Sequence, residues 1–449
     1  MMEKERDNKT APFSWAGELL RCFSLKKTLR GAAAAFLAVL VSAVLGAALM
    51  IGVYAIPGQR AEENVYGSTS VFLEEGTYPR LYSWCHSQVD GWTDAIMLLT
   101  AVDPAGDSAV ERAMVNRHGR MRDENPVDSL LGHYLDGKPF EYEFIYGRYW
   151  HGYLLLLKPL LSLADLRGIR LVNGCCQLAL TALTVWLMVK RRLKRLIAPL
   201  LLTWLMLMPV ALAKCLQFSD CYYLAVGGTA VLLAAGPDRS DGRAPAVFLF
   251  LGIATAFFDF LSYPLVTFGI PAVVWLAMAP EDPVGRRLGK LVKAGFGWVF
   301  GYAGMWASKW IVGSALTGAD LLTDAANALG TRTSSVSNDG AVRFSFSSCL
   351  SDNINTFLQT PFSWLVLLFL LGAAGYCLLH RGRRRRTSAG TVVPYFLVGA
   401  LPVLWYACTV NHSTVHFWFT NKALAVSVFA ITCAAAERAW SARPDTVFR

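Results

Sequence analysis

Two aspartates four residues apart, Asp90 and Asp94, stand in the run Ser87-Gln88-Val89-Asp90-Gly91-Trp92-Thr93-Asp94, which turns apolar over Ala95 to Leu99. On a helix that spacing puts both carboxylates on one face, and at a helix N-terminus it aims them at one spot. One acid can then act as a general base while its neighbour orients it or raises its pKa. The competing reading is structural: Asp90 or Thr93 caps a short surface helix and Asp94 sits in its first turn. Glu62 and Glu63 are the acids that would supply the base if this pair does not.

Cationic groups that could receive an anion fall in two places. Arg148 and His151 lie in Tyr142-Glu143-Phe144-Ile145-Tyr146-Gly147-Arg148-Tyr149-Trp150-His151. Tyr and Trp settle at a membrane interface because one end of the ring is apolar and the other wet, so anchoring is one role for this belt. At that depth a planar guanidinium meets lipid phosphates and can hold one through two parallel hydrogen bonds. The second place is Asn411-His412-Ser413-Thr414-Val415-His416, followed by Lys422. His412, His416 and Lys422 can donate to the same kind of anion. A helical His412/His416 pair would also suit zinc, but no carboxylate stands near to complete the set, so no metal is assigned there. Asp220 and Asp259 end apolar stretches, where an ionisable side chain is costly unless it faces a cavity or a partner.

The elements that must position these groups are written in the composition. Of 449 residues, 54% are hydrophobic and 16% charged, where a soluble protein carries roughly a quarter charged; the mean hydropathy is +0.39. A soluble multidomain enzyme, a disordered regulator and a disulfide-stapled secreted scaffold are excluded. The expected fold class is an all-α polytopic membrane protein with about ten transmembrane helices and two large external loops. Apolar spans are expected at about 31–54, 171–189, 196–213, 221–236, 246–259, 266–279, 291–316, 361–379, 392–408 and 417–435, with Pro264 breaking a run too long for one crossing. The stretch 150–163, interrupted by Lys158-Pro159, is expected to dip in or lie along the surface.

Net charge is +10, and the basic residues gather beside the spans, at Lys190 to Arg192 with Lys194-Arg195, at Arg286-Arg287, and at Arg381 with Arg383 to Arg386. By the positive-inside rule these face the cytoplasm, as do both termini. No aromatic-interleaved basic stretch accompanies them, so no nucleic-acid partner is expected. The organisation that follows is a cytoplasmic segment 1–30, a first helix 31–54, an external loop 55–170 with short surface helices, a bundle 171–316, a second external loop 317–360, C-terminal helices 361–437 and a cytoplasmic tail 438–449. Ten cysteines include no C-x-x-C pair. Most lie in apolar spans as small hydrophobes, and only Cys85 and Cys349, both external, are placed to bridge. No phosphate-binding GxxxxGK[ST], G-x-S-x-G elbow or helix-opening G-x-G-x-x-G occurs, so nucleotide chemistry on the inner side has no site.

The single first span followed by an acidic external loop, the later external loop, and the runs Asp90-Gly91-Trp92-Thr93-Asp94, Tyr149-Trp150-His151, Asp259-Phe260-Leu261-Ser262-Tyr263-Pro264 and Asn411-His412-Ser413 with Lys422 resemble the GT-C superfamily of polytopic membrane glycosyltransferases, in an uncharacterised bacterial branch, over about 30–435. The resemblance implies an enzyme in the bacterial plasma membrane that moves a sugar from a polyprenyl-phosphate donor to a hydroxyl of a cell-envelope glycan or lipid on the extracytoplasmic side, with inversion. It implies Asp90 or Asp94 as general base, and Arg148, His151, Asp259, His412, His416 and Lys422 around the substrate. No cofactor is definite; a divalent cation is compatible. The expected partners are the lipid-linked sugar donor, the acceptor and membrane lipids. The alternative is a transporter or flippase of a lipid-linked or anionic substrate, without bond chemistry.

Overall fold

A computed structural model of the chain describes residues 17–18, 25–103, 106, 108–337, 339–380 and 392–441. The expected basic cluster at Arg381 and Arg383 to Arg386, and most of segments 1–30 and 438–449, lie outside them. Among the described residues the protein is almost entirely helical, with one two-stranded sheet. Among the described residues five helices are long and apolar enough to cross a membrane: Thr28–Tyr54, Leu166–Lys190, Leu216–Ala235, Phe362–Leu379 and Phe417–Trp440. Leucines on their outer sides remain uncovered by protein, such as Leu37, Leu178, Leu368 and Leu371, the surface that lipid covers in a membrane helix.

The expected count of about ten spans is therefore corrected. The run expected at 196–213 is two short helices, Ile197–Met206 and Pro209–Lys214, separated where Met208 takes a left-handed backbone with φ of 61°. Gly242–Phe258, Val266–Met278 and Val393–Cys408 are apolar but short. Val284–Thr317 is long enough at 34 residues, but glycines, tryptophans, two arginines and three lysines dilute its apolar character. The break at Pro264 is present, in the connection between Phe258 and Val266. The 150–163 stretch forms only Leu154–Leu161, with Pro159 inside, about 12 Å of helix and too short to cross.

Between the first helix and Leu166 the chain builds a small folded region. Gln59–Glu75 buries Val65, Val71 and Phe72 on one side. Gly91–Val102, apolar all round, is buried along most of its length, as such a helix must be. Strand β1 (Arg117–Arg120) pairs antiparallel with β2 (Tyr142–Ile145). Pro126–Asp136 lies between them; Asn125 caps it by accepting from the N–H groups of Val127 and Asp128, and Pro126 takes the first turn, where its missing N–H costs nothing. One core cluster joins this region to the first helix and the second fills the remaining bundle. The two regions close on each other at Gly152, whose N–H donates to the Phe257 carbonyl at 2.8 Å. A Cβ there would meet Phe257 atoms at 2.3–2.6 Å, so only glycine fits. Cys85 and Cys349 are both free thiols.

Candidate functional site

Asp90 is the N-cap of the Gly91–Val102 helix. One carboxylate oxygen accepts from the Thr93 N–H at 3.0 Å and the other from Thr93 Oγ1 at 2.9 Å. Asp94, fully buried, accepts from the backbone N–H of Leu216 at 3.0 Å and faces Arg170 Nη2 at 3.4 Å. Arg170 also holds Glu75 at 2.8 Å, and Lys214 reaches the other Glu75 oxygen at 2.8 Å. Burial raises Asp90 to about 6 against the partial relief of Thr93, and raises Asp94 to about 7 against the pull of Arg170. At Glu75 burial is outweighed by Lys214 and Arg170, and its carboxyl stays below the ordinary range. Near neutral pH Glu75 is thus the firm anion that holds both cations, and this network fastens the 59–75, 91–102 and 166–190 helices to the start of the 216–235 helix.

A second set forms around the turn Asp259-Phe260-Leu261-Ser262-Tyr263 that follows the Pro237–Phe258 helix. The Asp259 carboxylate accepts from the Ser262 N–H at 3.0 Å and from the Ser262 hydroxyl. Leu261 is held at a φ of 69°, a strained conformation for a non-glycine residue that persists only where the surroundings fix it. Its carbonyl accepts from His412 Nε2–H at 2.8 Å, and that bond leaves the His412 Nδ1 lone pair to accept from Arg332 Nη1 at 2.7 Å. His412 is thereby locked as one neutral tautomer; burial, then the charge of Arg332, pushes its pKa well below the usual value. His416 packs 4.9 Å from His412 and is pushed down to about 3 by burial and Arg332. Its Nδ1 is buried without a partner.

Two charges in this set are uncommitted. Arg332 makes its hydrogen bond to His412 and lies 6.0 Å over the Tyr149 ring, with no carboxylate partner among the described residues. Asp220, one turn into the 216–235 helix, lies near the Asp259 carboxyl and makes no hydrogen bond or ion pair among the described residues. Phe260 links the halves by packing against the rings of Tyr146, Tyr149, His151 and Tyr153. A carboxyl group and a guanidinium that lack a counter-ion can, respectively, accept a proton and stabilise an anion.

Of the other expected residues, Arg148 pairs with Asp324 at 3.0 Å and lies 4.7 Å over Tyr146, so it ties the aromatic belt to the Leu321–Thr333 helix that carries Arg332. His151, with φ of 57°, accepts from the Tyr153 hydroxyl at 3.0 Å and donates to the Tyr146 carbonyl at 2.9 Å. Both of its nitrogens serve the belt. Lys422 is fully buried and donates to the His86 carbonyl at 3.2 Å, enclosed among helices. Glu62 and Glu63 are exposed on the 59–75 helix, beside Tyr66 and Tyr134. The structure therefore gathers Asp259, His412, His416, Arg148 and His151 about one turn and puts Asp90 and Asp94 at a neighbouring network. Among the described residues no three His, Cys, Asp or Glu side chains gather as metal ligands.

Arg332 escaped the sequence reading because Gly330-Thr331-Arg332-Thr333 carries no local signal; only its contact with His412, 80 positions away, reveals it. Asp220 was legible as an acid at the edge of an apolar run, without a sign that it would stay unpaired. Comparison of the chain with family models, curated proteins and solved structures gives no match.

Proposed function

We propose that this chain is a membrane glycosyltransferase of GT-C type. It moves a sugar from a polyprenyl-phosphate donor to a hydroxyl of a cell-envelope glycan or lipid on the extracytoplasmic side. The observation that carries the reading is the strained Asp259 turn: its Leu261 carbonyl holds His412, His412 holds Arg332, and Asp220 stands near Asp259 with no hydrogen bond among the described residues. The acceptor oxygen attacks the anomeric carbon, the carbon–oxygen bond to the phosphate breaks, and the phosphate leaves with the electron pair. Asp220 takes the hydroxyl proton. It is preferred over Asp90, whose two oxygens hold Thr93, and over Asp94, which is sealed against Arg170 and Leu216. Arg332 receives the charge growing on the phosphate, a kind of stabilisation worth roughly 100- to 1,000-fold per donor in a site closed to water.

The test is transfer of labelled sugar from a polyprenyl-phosphate donor by the full chain in vesicles, beside a flip assay with the same lipid. Transfer that disappears in Asp220→Asn supports the reading. Lipid translocation with no transfer overturns it and favours the transporter.

A further inference from the structure

Beside the turn runs a line of aromatic rings that the transfer step does not use. Tyr78 stacks on Trp92 with ring centroids 6.2 Å apart and planes 9° from parallel, and the Arg120 guanidinium lies over Trp92 at 5.7 Å. Trp418 stands at a steep angle to Tyr78, with ring centroids 5.5 Å apart. Trp418 in turn touches His416 at 5.2 Å, which leads through His412 to Arg332. Tyr78 is 42% exposed. Three polar atoms of these residues are buried without partners: Arg120 Nε, Trp418 Nε1 and His416 Nδ1. A buried polar atom left unpaired is costly, and three along one line ask for a ligand with many hydroxyls.

We infer that this lane is the binding subsite for the acceptor, and that the acceptor is a pyranoside chain. The flat apolar face of a pyranose stacks on an exposed ring, as Tyr78 offers, while its equatorial hydroxyls meet the unpaired polar groups. A chain laid along Tyr78 and Trp418 would bring its end to His416 and the Asp259 turn. The inference rests on the transferase reading for the word acceptor, but the saccharide subsite does not depend on turnover. Anchoring in the bilayer is the competing role for these rings; the unpaired donors and the continuity with Arg332 favour a sugar.

The test uses cellohexaose and chitohexaose, whose substituents are equatorial, titrated into the purified full chain while tryptophan fluorescence is read. Saturable quenching is expected, at least about tenfold weaker in Tyr78→Ala and near normal in Tyr78→Phe, which keeps the ring. Tyr78 is exposed, so its truncation leaves the core filled, and an unchanged elution profile checks that. Quenching that depends on Tyr78 in a chain that transfers no sugar supports the lane and overturns the transferase. The lane itself is overturned by an absence of quenching with either hexasaccharide, by equal quenching in Tyr78→Ala, or by brominated lipid quenching these tryptophans in place of the sugars.

Discussion

The two charged regions of this molecule are a few residues apart along the 216–235 helix and are built on opposite rules. At its start, Asp94, Arg170, Glu75 and Lys214 pair with one another, and the helix's own Leu216 N–H donates to Asp94. One turn further in, Asp220 has an acid for a neighbour and Arg332 a neutral histidine. The first arrangement holds helices together. The second leaves an acid and a guanidinium without a counter-ion, which folding alone does not reward, and that contrast is the basis for reading one as a fastening and the other as a site.

Substitutions should divide the same way. Arg332→Ala is expected to lower transfer by roughly 100- to 1,000-fold with little change in thermal stability, measured as melting of the purified chain; a large drop in melting temperature with proportionate loss of activity would make Arg332 a strut. Arg170→Ala strands the buried Asp94 and removes one partner of Glu75, and should destabilise the fold by about 3–5 kcal/mol, seen as poor yield and early unfolding; an unaffected fold would dissolve the contrast.

The smallest effect is a pH dependence. The unfolded carboxyls of Asp90 and Asp94 titrate near their ordinary value of about 4, and the folded ones near 6 and 7. Between those values the folded state holds protons that the unfolded state has released, so stability falls as pH rises through this window. Melting temperature should therefore be higher at pH 5 than at pH 7.5, by about 2–4 °C, and Asp94→Asn should flatten the trend; a steady decline toward pH 5 would reverse the assigned shifts.

How far the sequence reached depends on distance along the chain. The cap at Asp90 and the break at Pro264 are local chemistry and were legible. The number of spans was not, because a short apolar run reads alike whether lipid or neighbouring helices cover it: Val266–Met278 is buried along nearly its whole length by protein. The site divides in the same manner. Asp259, His412 and His416 stood out by type and setting, whereas the uses of Asp94 and Arg332 are fixed by partners 122 and 80 positions away, where no spacing rule applies. Lys422 and His151 looked like ligands for an anion and have their polar atoms engaged by backbone and tyrosine.

The central claim is that the unspent carboxylate does the chemistry. It is tested most directly by single-turnover sugar transfer in vesicles with Asp220→Asn and Asp90→Asn side by side. Asp220→Asn is expected to lose about 100- to 10,000-fold, and Asp90→Asn to retain transfer. Full transfer by Asp220→Asn, or its loss only in Asp90→Asn, would contradict it.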